Sequence, residues 1–164
     1  PLQWPNGAAR ARRPVMLYQL MYSSQSTFAP SMDAMALLLD RARRQNAARG
    51  VTGVLFSVDG VFVQILEGER DVVRRLVEHI GKDPRHDGLT VVMERPIAQR
   101  VFTSWSMAWI NPDASEVAAW ARLDGTTGIQ QVLARLQQNP ARLPAVMEHI
   151  VAAIGDSAGG AGQV

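Results

Sequence analysis

The sequence predicts an α+β fold: a ferredoxin-like βαββαββ core with two helices on one sheet face, followed by further C-terminal helices. Apolar runs with strand character alternate with two amphipathic helical segments across residues 15–112. Asp59-Gly60 separates two of these runs, and such a dipeptide between apolar stretches is a strong hairpin signal. After Pro112 the composition shifts to Ala, Gln and Leu at helical spacing. These observations together favour a sheet core with a helical extension.

The first half of the core begins with a strand at residues 15–22, where side chains alternate and Tyr18, Leu20 and Tyr22 share a face. The stretch SSQSTFAP predicts a loop. Ser31 then caps a helix that ends at Gly50, because serine suits the first position and glycine the last. Strands at 51–58 and 61–67 form the hairpin.

The second half begins with a helix at 70–81, whose apolar stripe lies opposite its charged residues. The remaining predicted elements are strands at 88–94 and 101–110 and helices near 113–122, 126–138 and 143–154. We divide the chain into a loose arm (1–14), a core domain (15–112), a helical extension (113–154) and a disordered tail (155–164). The extension is expected to cover the open face of the sheet.

Composition excludes several classes of function. The chain has no cysteine, so disulfides, thiolate catalysis and sulfur-rich metal sites are excluded. Its net charge of +2 gives no field that favours nucleic acid or an anionic membrane. No apolar run approaches the roughly 20 residues of a membrane span, and no secretory leader is visible, so we expect a cytoplasmic protein. The three histidines lack ligand spacing, so no metal site is predicted, and no catalytic constellation indicates an enzyme.

Gln64 is the most informative residue, because its carboxamide lies between Val63 and Ile65 in an apolar strand. Left without a partner there, it would cost about 1–3 kcal/mol. It can present a donor or an acceptor by turning over. In a ferredoxin-like sheet the first strand lies beside this strand, so the Tyr22 hydroxyl should reach it. Two interpretations stay open at this point: a core pair that satisfies itself, or the polar floor of a pocket for a flat ligand, with Asn46 opposite.

Five ordered segments carry a resemblance to a known family. They are LMYSS at 20–24, QNAARGVTGVL at 45–55, GVFVQILEG at 60–68, DPRH at 83–86 and ERPIAQRVFTSWSM at 94–107. From about Val15 to Ile110 the chain resembles the BLUF family, sensors of blue light using FAD. The resemblance implies a non-covalently bound flavin between the two helices, FAD before FMN.

The resemblance also assigns residues to roles. Tyr22 and Gln64 match the photochemical pair, in which light draws an electron and a proton from the tyrosine and leaves the glutamine rotated or tautomerised. Asn46 matches a flavin-binding asparagine, and Gln45 stands where relatives often carry His or Asn. Leu38 and Ile80 match residues flanking the ring; His79 and Asp83, placed four apart to share a helix face, match positions near its polar edge. Trp105 and Met107, expected on one face of the last strand, match signal-transmitting residues near the flavin.

The function expected from this resemblance is a blue-light photoreceptor in which the Tyr–Gln rearrangement changes oligomer state or partner binding. The residues after Ile110 are too few for a cyclase or phosphodiesterase domain, so we expect a short stand-alone sensor that forms a homo-oligomer or binds a downstream protein. The alternative is a flavin-free ferredoxin-like regulatory or assembly domain. A small flavin-dependent enzyme comes third, because no residues for a substrate pocket are evident.

Overall fold

The protein is described from a computed structural model, which covers residues 15–29 and 31–159. The predicted loose arm at 1–14 and the last five residues of the predicted tail lie outside this description. The elements run in the predicted order, which confirms the fold class: β1 (Leu17–Ser26), α1 (Met32–Arg49), β2 (Thr52–Val58), β3 (Val61–Glu69), α2 (Arg70–Gly81), β4 (His86–Ile97), β5 (Ala108–Ile110), α3 (Ala114–Trp120), α4 (Ile129–Gln138), a 3₁₀ turn (Pro140–Arg142) and α5 (Leu143–Gly159).

The five strands form one sheet in the order β4-β1-β3-β2-β5. Neighbouring strands are antiparallel, except that β5 pairs in parallel with β2. This order puts β1 and β3 in the centre, and the register sets Tyr22 directly opposite Gln64. Side chains at paired positions share a face, so the sheet itself brings these two residues together.

Local signals in the sequence set the ends of the elements around this centre. The Ser31 hydroxyl accepts a hydrogen bond from the Ala34 amide and caps α1. Gly50 ends the helix with a φ of 66°, in the left-handed region. Asp59 and Gly60 both have positive φ, as a two-residue hairpin turn of type I′ requires. The predicted caps and hairpin turn are therefore confirmed.

Helices cover both faces of the sheet. Under α1 and α2 lies an apolar cluster that includes Leu20, Tyr22, Phe62 and Leu66. On the opposite face α3, α4 and α5 pack against Val54, Phe56, Val63 and Ile65 from the hairpin strands. The two layers meet the same strands from opposite sides, because strand side chains alternate. A change on one face thus has to pass through or around the sheet to reach the other.

Three sequence-based boundaries are wrong by four residues or more. β1 continues through Ser23–Ser26, which were predicted as loop, because this stretch pairs with β3 on one side and β4 on the other. The last strand was predicted over 101–110 but covers only Ala108–Ile110. The last helix was predicted over 143–154, but α5 continues to Gly159.

The shortened last strand also changes the predicted signal residues. Residues 98–107 form an irregular segment, so their side chains do not alternate as in a strand. Met107 belongs to the cluster under α1 and α2, whereas Trp105 packs against the cluster under α3–α5. The prediction that both residues share one face is therefore wrong.

Candidate functional site: a cleft between two helices

A cleft opens between α1 and α2 over the central strands. The space between its walls, including the part open to solvent, is about 800 Å³. All eight residues that the sequence singled out for ligand binding line it. They are Tyr22, Leu38, Gln45, Asn46, Gln64, His79, Ile80 and Asp83.

The floor of the cleft is a short chain of polar contacts. Tyr22 is 0% exposed and Gln64 only 7%. The Tyr22 hydroxyl donates a hydrogen bond to Gln64 Oε1, as the sequence predicted. Gln64 Nε2 in turn donates to the sulfur of Met107 at 3.3 Å. The carboxamide is therefore held between a strong donor and a weak acceptor.

The Tyr22 hydroxyl stays protonated and can donate a hydrogen bond. Burial raises the pKa of this phenol well above its ordinary value, and the nearby Asp83 carboxylate raises it further. A buried phenolate would lack solvation and would lie near a negative charge. At neutral pH, Tyr22 consequently keeps its proton on the hydrogen bond to Gln64.

Asn46 lies in the last turn of α1 and is 3% exposed. It follows Met35 and Leu39 on the buried side of the helix, which turns its side chain inward. Its Nδ2 donates to the Ser106 carbonyl at 2.9 Å. A carboxamide has a second amide hydrogen and a carbonyl oxygen, so Asn46 has further capacity to bind a polar ligand edge.

Apolar side chains form the walls. Leu38 and Ala42 come from α1, and Leu76 and Ile80 from α2. Leu38 and Ile80 are half-buried, so a flat apolar group between the helices would complete their burial. Gln45 is exposed beside this slot. The walls therefore suit a planar ring with one polar edge.

The mouth of the cleft contains an ion pair. α2 ends at Gly81, so Asp83 is not on the helix face of His79, and that prediction is wrong. Asp83 instead binds Arg85: Arg85 Nε lies 2.9 Å from Oδ1 and Nη2 lies 2.5 Å from Oδ2. These hydrogen bonds hold the pKa of the Asp83 carboxyl well below its usual range.

Sequence reasoning missed Arg41, Arg85 and His86, which also line the cleft. Arg41 had a usable signal, because it lies three residues after Leu38 and four before Gln45 and so shares their helix face. His86 had none. Its Nδ1 lies 2.7 Å from the Ser24 hydroxyl and its ring 5.4 Å from that of Phe62. That contact depends on strand register between β1 and β4, and burial there lowers the pKa of the histidine.

These features define a small α+β domain with an open cleft over its central strands and a buried carboxamide at the floor of that cleft. The chain belongs to the BLUF family: residues 17–108 match the family described as sensors of blue-light using FAD. It is a blue-light photoreceptor domain of that family.

Curated relatives agree with this assignment. The chain is 40% identical over 92 residues to the photoactivated adenylate cyclase subunit beta of Euglena gracilis. It is 37% identical over 92 residues to the same subunit of Euglena longa. These stretches cover 56% of this chain but only 11% of each relative. The likeness therefore concerns one domain of much longer proteins.

Solved structures agree as well. A photo-activated state of BlsA matches with a TM-score of 0.68 and 29% identity, covering 82% of this chain and 94% of that one. The dark state of BlrB, a BLUF protein, matches with a TM-score of 0.64 and 26% identity, covering 84% and 96%. Both comparisons extend past the family match into the C-terminal helices.

Two absences apply to the part of the chain that the structure describes. Within it, no group of three or more His, Asp or Glu side chains is arranged to hold a metal ion. No helix in that part combines the length and the apolar character needed to cross a membrane.

Proposed function

We propose that a flavin held between α1 and α2 is the light-absorbing group, and that Tyr22 and Gln64 form the switch. The hydrogen-bonded chain from Tyr22 through Gln64 to Met107 carries this proposal. It lies at the floor of the cleft, where a ligand edge would meet it. Giving these roles to Tyr22 and Gln64 goes beyond family membership, because it names the side chains that change state.

The donor set fits a flavin. The ring would lie between Leu38 and Ile80, with its polar edge toward the amides of Asn46, Gln45 and Gln64. Arg41, which lines the cleft and is exposed, suits a phosphate, because guanidinium groups bind phosphate oxygens well, whereas Arg85 is already paired with Asp83. A bound flavin supplies blue-light absorption and a strongly oxidising excited state. FAD is proposed before FMN because the family is described as using FAD, although the related BlrP1 has been solved with FMN.

The carboxamide of Gln64 has two unequal orientations. In the observed one, Oε1 accepts from Tyr22 and Nε2 donates to the Met107 sulfur. If the group reverses, Nε2 faces the phenol oxygen, which can accept, but Oε1 faces a thioether, which cannot donate. Among these side chains, the observed orientation is favoured by about one hydrogen bond, roughly 0.5–1.5 kcal/mol. A light-driven reversal would therefore relax in darkness.

The output is proposed to be a change in homo-oligomer state or in binding to a downstream protein. The related proteins named photoactivated adenylate cyclase combine light with an enzyme, but the domain matched here is the sensor part. Helices α3–α5 pack against the same central strands that hold Gln64. We infer that this layer carries the signal and that this domain performs no catalysis of its own.

The first test is colour. The purified protein should be yellow, release flavin on denaturation, and show a red-shifted absorption spectrum after blue light. Gln64→Leu should keep the flavin and lose the shift. Gln25→Leu is the matched control, because Gln25 is an exposed glutamine on β1 and should leave the shift unchanged. A colourless protein that takes up no flavin contradicts the cofactor proposal, and a normal shift in Gln64→Leu contradicts the switch.

The second test concerns output. Light scattering in darkness and under blue light should show different average mass, either alone or with a captured partner. The same comparison with Gln64→Leu should show no difference between light and darkness. A light response that persists in this variant would separate the output from the proposed switch.

A further inference from the structure

Glu67 is a fully buried carboxylate that the proposed light reaction does not use. It is 0% exposed and lies on β3, three residues beyond Gln64. Because strand side chains alternate, it faces the opposite side of the sheet. A buried carboxylate persists only when hydrogen-bond donors compensate for lost hydration.

Its donors come from distant parts of the chain. Glu67 Oε2 accepts from the amides of Val101 at 2.9 Å and Phe102 at 3.0 Å. Oε1 accepts from Gln19 Nε2 at 2.6 Å. Gln19 Oε1 accepts in turn from Arg95 Nε at 3.0 Å. The network therefore joins β3, β1 and β4 to the irregular segment 98–107.

The two amides on Glu67 belong to residues outside any strand or helix. A ladder partner would normally satisfy such buried N–H groups. Next to them, Arg100 donates to the Glu67 carbonyl at 2.7 Å and to the Gly50 carbonyl at 2.6 Å. This end of the segment is thus held by the side chain and backbone of one β3 residue.

The other end of the same segment places Met107 against Gln64. The Gly53 amide donates to the Trp105 carbonyl at 3.0 Å, and Arg43 Nε donates to the Met107 carbonyl at 2.8 Å. Glu67 and Gln64 lie on one strand, so β3 contacts both ends of the segment, one through Glu67 and the other through Gln64. The position of the Met107 sulfur follows from how firmly the segment is held.

We propose that Glu67 is a positioning residue: by holding segment 98–107 on β3, it keeps the Met107 sulfur against Gln64 and slows the return of Gln64 in darkness. This rests on the proposed switch role of Gln64. A looser segment leaves Gln64 less confined, so its carboxamide turns more easily.

The network can be tested by exchanging the carboxylate at position 67 with the carboxamide at position 19. In Glu67→Gln, the single amide oxygen can accept either from Gln19 or from Val101 and Phe102. If it accepts from Gln19, the NH₂ group faces the two backbone N–H donors and releases the segment. If it accepts from the segment, the NH₂ group forces Gln19 to turn, which points the Gln19 NH₂ at the Arg95 donor. Adding Gln19→Glu removes this conflict, because a carboxylate at position 19 accepts from both neighbours. The double variant retains every hydrogen bond with one carboxylate in place.

Glu67→Gln should speed dark recovery on the order of tenfold, because a less confined carboxamide turns over a lower barrier. The double variant should return to within about twofold of the parent protein. Glu69→Gln is the matched control, because it makes the same carboxylate-to-carboxamide change at an exposed position of the same strand. It should have no effect on dark recovery. Recovery that is unchanged in Glu67→Gln, or a double variant that is no slower than the single, overturns the proposal.

Amide exchange of the parent protein in darkness tests the anchoring without any substitution. Val101 and Phe102 should exchange at least about a hundredfold more slowly than the exposed neighbour Thr103. Fast exchange at both amides overturns the proposal even if Glu67→Gln fails to fold. A parent protein without any light-induced shift would refute the proposed switch instead, and the exchange result would still decide whether Glu67 holds the segment.

Discussion

Replacing Tyr22 with phenylalanine and Gln64 with leucine, singly and together, measures the hydrogen bond at the floor of the cleft. Both side chains are almost fully buried, and the bond joins neighbouring central strands. Phenylalanine and leucine keep similar volumes, so packing changes little. The perturbation is therefore mainly the loss of one polar partner or of both.

The expected magnitudes follow from that burial. Gln64→Leu leaves the Tyr22 hydroxyl without its acceptor, and Tyr22→Phe leaves Gln64 Oε1 without its donor. Each should lower the free energy of unfolding by about 1–3 kcal/mol, the cost of an orphaned buried polar group. The double variant orphans neither group, so it should cost less than the sum of the single changes. We expect a coupling energy of about 1–3 kcal/mol.

The assay is urea unfolding of the flavin-free protein in darkness at neutral pH, where Tyr22 stays protonated. Transitions followed by fluorescence and by circular dichroism should coincide, so that two-state free energies apply. Additive costs within about 0.5 kcal/mol would refute the inference that these two side chains depend on each other. The same variants, loaded with flavin, then test whether this bond is needed for the light-induced shift.

Asn46→Ala should weaken flavin binding about tenfold, the equivalent of one hydrogen bond; unchanged affinity in a fluorescence titration would argue against its role. The pairing with Arg85 lowers the pKa of Asp83 in the folded protein. The pair therefore stabilises the fold fully above the unfolded pKa of about 4, and this stabilisation is lost as the pH falls through the folded pKa. In Asp83→Asn, the free energy of unfolding should therefore fall less on acidification than in the parent protein, by about 1 kcal/mol or less, since Arg85 is partly exposed. The same fall in both proteins, measured by urea unfolding, would contradict this. Trp105→Phe should retain the red shift and alter mainly dark recovery, because Trp105 packs on the face away from the cleft; loss of the shift would contradict that placement.

Local patterns in the sequence were sufficient for most of the framework. The stripe of apolar residues in α2 and the caps of α1 act within one or two turns, so they can be predicted without the rest of the fold. The expectation that Tyr22 and Gln64 meet came from the ferredoxin-like strand order, which makes β1 and β3 neighbours. The register of these strands sets the two residues directly opposite each other. The strand pattern alone also fitted a core pair that satisfies itself, and only the family resemblance favoured the floor of a ligand cleft.

Non-local contacts explain what the sequence did not reveal. Val101, Trp105 and Met107 alternate like strand residues, yet the backbone donors of Val101 and Phe102 bind a carboxylate 34 and 35 positions earlier. Likewise, Ser24 and His86 are 62 positions apart and meet only through the pairing of β1 with β4. In both places a side chain from a distant strand overrides the local pattern.

The two-faced sheet also decides which experiments on output are informative. Deleting residues 113–164 would uncover buried apolar side chains such as Val54, Phe56 and Ile65, so loss of response would follow from a damaged fold as readily as from a lost signal. The segment 98–107 offers a sharper target, because it reaches both faces: Met107 contacts Gln64 on one side and Trp105 joins the layer of α3–α5 on the other.

A ligand or photon shifts an equilibrium only through different interactions in its two states. Here the difference at the source is a single carboxamide orientation, so the output should be a modest shift, about 1–3 kcal/mol, typical of coupling between sites. Such a shift is enough to change oligomer or partner affinity without unfolding either layer.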